Sequence, residues 1–102
     1  MATVTALRLP EDLRKELDRL ASAEGKDRSE VVREILRRGI AERKLERALE
    51  AYQRGKATLV KASHMAGLTV WEMLEVFRDR KITIQYGVDD LEEDLRTLRG
   101  LR

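Results

Sequence analysis

The stretch TALRLPEDLRKELDRLASAEGKDRSEVVREILRRGI, residues 5–40, decides the first half of the fold. Apart from Arg8, residues 3–9 are β-branched or apolar, and they end at Pro10, which cannot continue a hydrogen-bond ladder but suits the first turn of a helix. We therefore expect a short strand and then a helix from Glu11, in which leucines recur at helical spacing and which Gly25 ends.

A second helix follows, with Ser29 as its expected N-cap. Its first apolar stripe ends at Ile40, and the stripe after residue 44 lies on roughly the opposite side of the helix axis. Either the helix breaks between residues 41 and 44, or one long helix serves two different cores. Both alternatives predict a joint between modules of residues 1–44 and 45–102.

Beyond the joint the pattern remains mainly helical. A small-residue helix near residues 59–66 is followed by a turn at Gly67 and by a helix that Thr69 caps, which predicts a helix-turn-helix. Residues 82–86 then alternate between apolar and polar, as a half-buried strand does, before a last helix. The expected class is mainly α, with one short strand in the second module.

Composition narrows the function. The chain has 102 residues, 42% hydrophobic and 39% charged, which is typical of one globular domain or two small modules. Apolar runs are too short for a signal peptide or a membrane span, so we expect a cytoplasmic protein. There is no cysteine and a single histidine, His64, so we expect no enzyme, no metal and no cofactor.

Charge is nearly balanced, with 21 basic and 19 acidic side chains and a net charge of +2. Any binding of nucleic acid must therefore depend on local arrangement. The abundance of Arg and Glu and the lack of asparagine are typical of ion-pair networks in heat-adapted proteins, although a GC-rich genome also favours arginine. A thermophilic source is one interpretation.

The order of strand, proline, helix, glycine loop and helix resembles the ribbon-helix-helix family of Arc, MetJ and CopG type repressors over residues 3–45. A lone strand and two small helices bury too little to be stable, so we expect the module to form a homodimer or a larger oligomer by pairing strands. Its expected dimer core contains Leu7, Leu9, Leu17, Val32, Ile35 and Leu36.

The resemblance implies that the paired strands lie in the major groove of double-stranded DNA. If Leu7 and Leu9 point inward, alternation directs Val4, Ala6 and Arg8 toward the bases. Of these three, Arg8 is the only good hydrogen-bonding reader. The resemblance also implies phosphate contacts at the start of the second helix, from Lys26, Arg28, Ser29 and Glu30.

Residues 45–98 resemble a second, poorly characterised prokaryotic family, whose genes often lie near those for PIN-domain ribonucleases. The resemblance rests on a helix end at residues 52–55, on Ala66-Gly67, on Trp71 with its following apolar residues, and on the acidic run 89–94. It implies an antitoxin. The helix-turn-helix carries acidic and apolar residues where a DNA reader carries basic ones, so the module suits a protein partner better.

Several residues of this module are candidates for partner binding. Trp71 and Leu74, with Phe77, fit either the core or an exposed anchor. Ile82, Ile84 and Tyr86 form a strand without an evident mate, so a second copy or a partner is expected to pair with it. By resemblance to antitoxins that insert an arginine into the carboxylate cluster of a PIN nuclease, Arg96 and Arg99 are further candidates.

The sequence thus predicts an antitoxin and autorepressor, with a DNA-binding ribbon and a module that binds a PIN-type ribonuclease toxin. One alternative is a stand-alone transcription regulator whose second module oligomerises or senses a signal. Another is a dimeric adaptor that does not bind DNA.

Overall fold

The structure is a computed structural model that describes residues 6–85 and 88–100. Within these residues every regular element is a helix. The five helices are α1 (Glu11–Glu24), α2 (Arg28–Gln53), α3 (Leu59–Ala66), α4 (Val70–Arg80) and α5 (Val88–Gly100).

The predicted strands are absent from the described residues. Residues 6–10 and 82–85 have no regular secondary structure, so both the ribbon-helix-helix architecture and the short strand of the second module are wrong. A strand requires ladder hydrogen bonds to another backbone, and no described residue of this chain provides them. Alternation of apolar and polar residues indicates only that successive side chains face opposite sides. A segment outside any sheet can have the same alternation.

Local signals place the ends of α1 and the start of α2. Helix α1 begins after Pro10 and ends at Gly25, which adopts the left-handed conformation with φ 65°. The predicted N-cap of the second helix was wrong by two residues. Helix α2 begins at Arg28, and Asp27 Oδ1 accepts a hydrogen bond from the Glu30 amide at 3.3 Å.

Helix α2 is continuous over 26 residues, which decides between the two alternatives for residues 41–44. The contacts of the chain separate into two compact units, Met1–Arg38 and Gly39–Arg102, called unit 1 and unit 2 below. The division falls inside α2. One face of this helix contributes Val31 to unit 1, and another contributes Ala48, Leu49 and Tyr52 to unit 2.

Unit 2 contains a buried hydrophobic core. Ala48 and Met73 are fully buried, and the Tyr52 and Phe77 rings pack with centroids 4.7 Å apart and planes tilted by 53°. Small residues at the helix contacts allow close approach. The buried set comprises Ala48, Leu49, Tyr52, Ala57, Leu59, Ala62, Ala66, Met73 and Phe77.

The two helices predicted around Gly67 are present. Gly67 ends α3 in the left-handed conformation with φ 71°, and Thr69 caps α4 in a capping box with Glu72. The Glu72 amide donates to Thr69 Oγ1 at 3.1 Å, while the Thr69 amide donates to Glu72 Oε1 at 2.9 Å. The capping box therefore fixes the start of α4 at Val70.

A buried polar contact joins α5 to the start of α3. Thr58, the N-cap of α3, donates a hydrogen bond from Oγ1 to Asp94 Oδ1 and accepts one from the Lys61 amide at 3.3 Å. Asp94 is 2% exposed, and its Oδ2 has no hydrogen-bond partner among the described residues. In the sequence, Asp94 is one member of the acidic run 89–94 and carries no signal of a buried contact, so this contact was missed.

Replacing Thr58 by valine should destabilise unit 2 by about 2–4 kcal/mol, because α3 loses its cap and the buried Asp94 carboxylate loses the donor that the described residues give it. The measurement is urea unfolding of the full chain, followed by circular dichroism at a fixed protein concentration. Thr58→Ser keeps the hydroxyl and should lie within about 1 kcal/mol of the parent. Equal losses in the two variants would contradict the assignment.

Candidate protein-binding surfaces

Unit 1 exposes a continuous apolar face. Its groove has a volume of about 320 Å³ and a single charged lining residue, Glu16. Leu7 is 64% exposed and Ile35 46% exposed, although both belong to the wall. The unit 1 face consists of Leu7, Leu9, Leu13, Leu17, Leu20, Val32, Ile35 and Leu36. All six residues predicted for the dimer core are in this set, so the structure brings them together on one surface.

Charged side chains on the surface of unit 1 form ion pairs with one another. Arg28 Nε lies 2.7 Å from Asp18 Oδ1, and Lys26 Nζ lies 2.8 Å from Glu34 Oε1. The hydrogen bond between Lys26 and Glu34, and then their Coulomb attraction, raise the pKa of Lys26 and lower that of Glu34. Two cations predicted to contact phosphates therefore already have acidic partners.

The other predicted DNA contacts have different surroundings. Ala6 and Arg8 are exposed, and Val4 lies outside the described residues. Without a ribbon, no element aligns these side chains along a groove of DNA. Ser29 lies in the first turn of α2, where Asp27 already caps the Glu30 amide. DNA binding stays a prediction that the local geometry does not favour.

The second surface lies in unit 2, beside α4. Trp71 is 78% exposed, whereas Phe77, six residues along the same helix, is buried. The sequence allowed each aromatic residue to be either a core residue or an exposed anchor. Phe77 belongs to the core, and Trp71 is available as an anchor. The Trp71 groove, about 400 Å³ in volume, is lined by Trp71, Leu74, Glu75, Phe77, Arg78, Ile82 and Ile84.

Four of the residues predicted to bind a partner, Trp71, Leu74, Ile82 and Ile84, line this groove. The predicted arginines do not. Arg96 and Arg99 are exposed on α5, and neither lines the Trp71 groove. Tyr86 lies outside the described residues.

Tyr52 positions the far wall of the groove, a role that sequence reasoning missed. Its hydroxyl accepts a hydrogen bond from the Gln85 amide at 2.7 Å and donates one to the Gln85 carbonyl at 3.2 Å. At the other end of the segment, the Ile82 amide donates to the Phe77 carbonyl at 2.8 Å. The sequence signal was a tyrosine on the apolar stripe of α2, since a buried tyrosine hydroxyl usually finds a partner.

Other kinds of site receive no support from the described residues. They contain no cluster of three or more side chains of the kind that hold a metal ion, and His64 is exposed. None of the described helices is long and apolar enough to cross a membrane. The surfaces that stand out on the described residues are the unit 1 face and the Trp71 groove.

Fold and surfaces define a small helical protein with one exposed apolar face and one groove beside an exposed tryptophan. The profile of UPF0175, an uncharacterised protein family, matches residues 4–100, and the chain belongs to this family. It is similar to a UPF0175 protein of Aeropyrum pernix, with 36% identity over 58 residues. The matched region covers 57% of this chain and 65% of that relative, just under two thirds of its length. No solved structure matches the chain.

The capping box of α4 should weaken in acid. Hydrogen bonds from the Thr69 amide and then with the Thr69 side chain lower the pKa of Glu72. Because the folded value is depressed, its stabilisation is present above the unfolded pKa of about 4.3 and is lost as the pH falls through the lower folded value. An NMR titration of the Thr69 amide should have its midpoint below that of an ordinary glutamate.

The control is Glu72→Gln, which keeps a neutral acceptor and should make the Thr69 amide shift independent of pH in this range. A midpoint at or above the ordinary glutamate value, or the same titration in the Gln variant, would show that Glu72 does not close the box.

Proposed function

We propose that the protein is a self-associating binding protein of the antitoxin type and not an enzyme. Unit 1 pairs with a second copy of the chain, and unit 2 binds another protein, a ribonuclease toxin of the PIN class. The observation that carries the proposal is the small number of buried side chains in unit 1. Among its described residues, only Ala21 and Val31 are buried.

Two small buried side chains cannot stabilise a unit of this size. Ordering each residue costs about 1–2 kcal/mol, whereas a fully buried leucine or isoleucine contributes about 1.5–3 kcal/mol. The side chains that would stabilise unit 1 are its large apolar ones, and they stand half exposed on the unit 1 face. The additional burial of these apolar side chains must come from contact with another surface.

The size of the unit 1 face fits a second copy. Five of its members, Leu7, Leu13, Leu20, Ile35 and Leu36, each leave between 43% and 64% of their surface exposed. A stable interface buries roughly 800 Å² per partner, and contiguous half-exposed apolar side chains are the kind of surface that contributes to its centre. A twofold interface uses the same patch on both chains, and an apolar patch is compatible with itself.

Two observations support the toxin as the partner of unit 2. Residues 45–98 resemble a family whose genes often lie beside those of PIN-domain ribonucleases. Unit 2 also carries the exposed Trp71 in the lining of a groove, and tryptophan is enriched among the residues that dominate interface energies. Arg96 and Arg99 are exposed and have no ion-pair partner among the described residues, so either can reach a carboxylate cluster.

Ile35→Asp should convert the protein to a monomer and unfold α1 with the first part of α2. In an isolated chain a half-exposed position tolerates substitution within about 0.5 kcal/mol, whereas in the dimer the new carboxylate is buried without a partner. Sedimentation gives the mass, and circular dichroism gives the helix content.

Arg33→Asp is the matched control, since Arg33 is exposed on the same helix and lies outside the unit 1 face. It should remain dimeric and helical. A parent protein that sediments as a monomer with full helicity would refute self-association.

The full chain should inhibit a purified PIN-type ribonuclease encoded beside its gene. Trp71→Ala should weaken the complex by about thirtyfold, the loss typical of an interface hot spot. Arg96→Ala or Arg99→Ala should reduce inhibition more than binding if that arginine enters the active site. Titration calorimetry measures binding, and cleavage of a labelled RNA measures inhibition.

Lys56→Ala, at an exposed position outside both surfaces, is the control and should bind and inhibit like the parent. Full nuclease activity in the presence of excess protein would refute the toxin assignment.

A further inference from the structure

We infer that one side of helix α2 binds the phosphodiester backbone of a nucleic acid without reading its bases. The site is a row of basic side chains, called the α2 stripe, which consists of Arg33, Arg37, Lys44 and Arg47. None of these residues is among those that the sequence predicted to contact DNA. The inference goes beyond the proposed function, because neither self-association nor toxin binding requires a nucleic acid.

The stripe follows from the periodicity of one continuous helix. Its four residues are spaced at i, i+4, i+11 and i+14, and all of them are exposed. At about 100° per residue they lie within roughly 80° of one another around the axis of α2, and about 21 Å separates the first from the last along it. This geometry depends on α2 alone, which is unbroken over its 26 residues.

The acidic side chains of the same stretch lie on other sides of the helix. They are Glu34, Glu42 and Glu46, located roughly 100°, 180° and 220° around the axis from Arg33. Two more acids of α2, Glu30 and Glu50, lie beyond the two ends of the stripe. Within this helix, all of whose residues the structure describes, the stripe therefore has no acid between its four cations.

Ion pairs with other segments hold two of these acids away from the stripe. Lys26 Nζ lies 2.8 Å from Glu34 Oε1, and Arg80 Nη1 lies 2.6 Å from Glu46 Oε1. The hydrogen bond from Lys26 is the largest cause of the lowered pKa of Glu34, and attraction to Arg37 contributes less. Carboxylates that could neutralise the stripe thus have hydrogen-bonded cationic partners outside α2.

The composition of the stripe fits phosphates better than a protein or a membrane. Three of its four cations are arginines, whose planar guanidinium group can bond to two oxygens of one phosphate. The large apolar residue between them is Ile40, which is 55% exposed. A protein interface has an apolar centre and a membrane-bound helix buries a broad apolar face, so both require more apolar surface than one isoleucine offers.

The length and position of the stripe are compatible with a bound strand. Nucleotides of a duplex strand rise by about 3.4 Å each, so the stripe can face about six of them. Val32, Ile35 and Leu36 of the unit 1 face lie roughly 110° around the axis from the centre of the stripe. A second copy on the unit 1 face and a nucleic acid on the stripe therefore use different sides of α2.

The test measures binding of the full-length protein to two labelled oligonucleotides of random sequence, a DNA duplex of about 20 base pairs and a single-stranded RNA of equal length. Fluorescence anisotropy gives Kd over a range of salt concentrations. Each phosphate contact contributes about 0.9 to the slope of log Kd against log salt for a duplex and about 0.7 for a single strand, so four contacts predict a slope of about 3–4 per chain. The tighter complex identifies which nucleic acid supplies the phosphates.

Neighbouring arginines provide matched variants. Arg37→Gln removes one cation of the stripe and should weaken binding about five- to tenfold in about 0.1 M salt and lower the slope by about 1. Lys44→Gln should behave in the same way. Arg38→Gln removes the same charge from an exposed position on the side of the acids, and should bind within about twofold of the parent. Circular dichroism and sedimentation should show unchanged helix content and mass in all three variants.

Equal losses in Arg37→Gln and Arg38→Gln would overturn the inference, because binding would then depend on overall charge and not on the stripe. A Kd that does not change with salt, or no measurable binding to either oligonucleotide, would also overturn it. Two further probes are an acidic peptide of about 20 residues and vesicles that contain phosphatidylserine. If either binds more tightly than both oligonucleotides, the stripe serves a protein or a membrane and the inference is wrong.

Discussion

The need to bury apolar surface governs this molecule, and its two units meet that need differently. In unit 2 the Tyr52 and Phe77 rings and a set of small residues form a core between helices. In unit 1 the apolar side chains are present in sufficient number, but they line an open groove. Folding requires that apolar burial offset chain entropy. We therefore interpret unit 1 as half of a structure that a second chain completes.

Two hydroxyl groups organise unit 2 beyond its apolar core. Thr58 caps α3 and holds the Asp94 carboxylate of α5, and Tyr52 holds both main-chain groups of Gln85. Each hydroxyl both donates and accepts, so a single side chain satisfies two partners at a place with little room. These contacts link residues more than 30 positions apart in the sequence. They decide where α5 and the wall of the Trp71 groove lie within unit 2.

The two surfaces suit different partners for physical reasons. The unit 1 face is almost wholly apolar, and a patch without charge is compatible with a copy of itself. The Trp71 groove combines apolar residues with two charged residues of opposite sign, Glu75 and Arg78.

The sequence by itself determined the helices, because their signals are local. Leucine spacing predicted α1, Gly25 and Gly67 marked helix ends, and Thr69 marked the start of α4. The same spacing also identified the residues of the unit 1 face, since side chains three and four apart share one side of a helix. Each of these features depends on neighbours within about one turn of helix.

Tertiary structure alone decided which patterns became contacts. Alternation near Leu7 and Ile84 suggested strands, but a strand exists only where another backbone lies alongside. Trp71 and Phe77 lie about 120° apart around the axis of α4, and the structure places Phe77 in the core against Tyr52 while Trp71 is 78% exposed. Asp94 belongs to an acidic run in the sequence, yet the structure makes it a buried acceptor for Thr58. In each case the outcome depends on what lies opposite the residue, which local sequence does not encode.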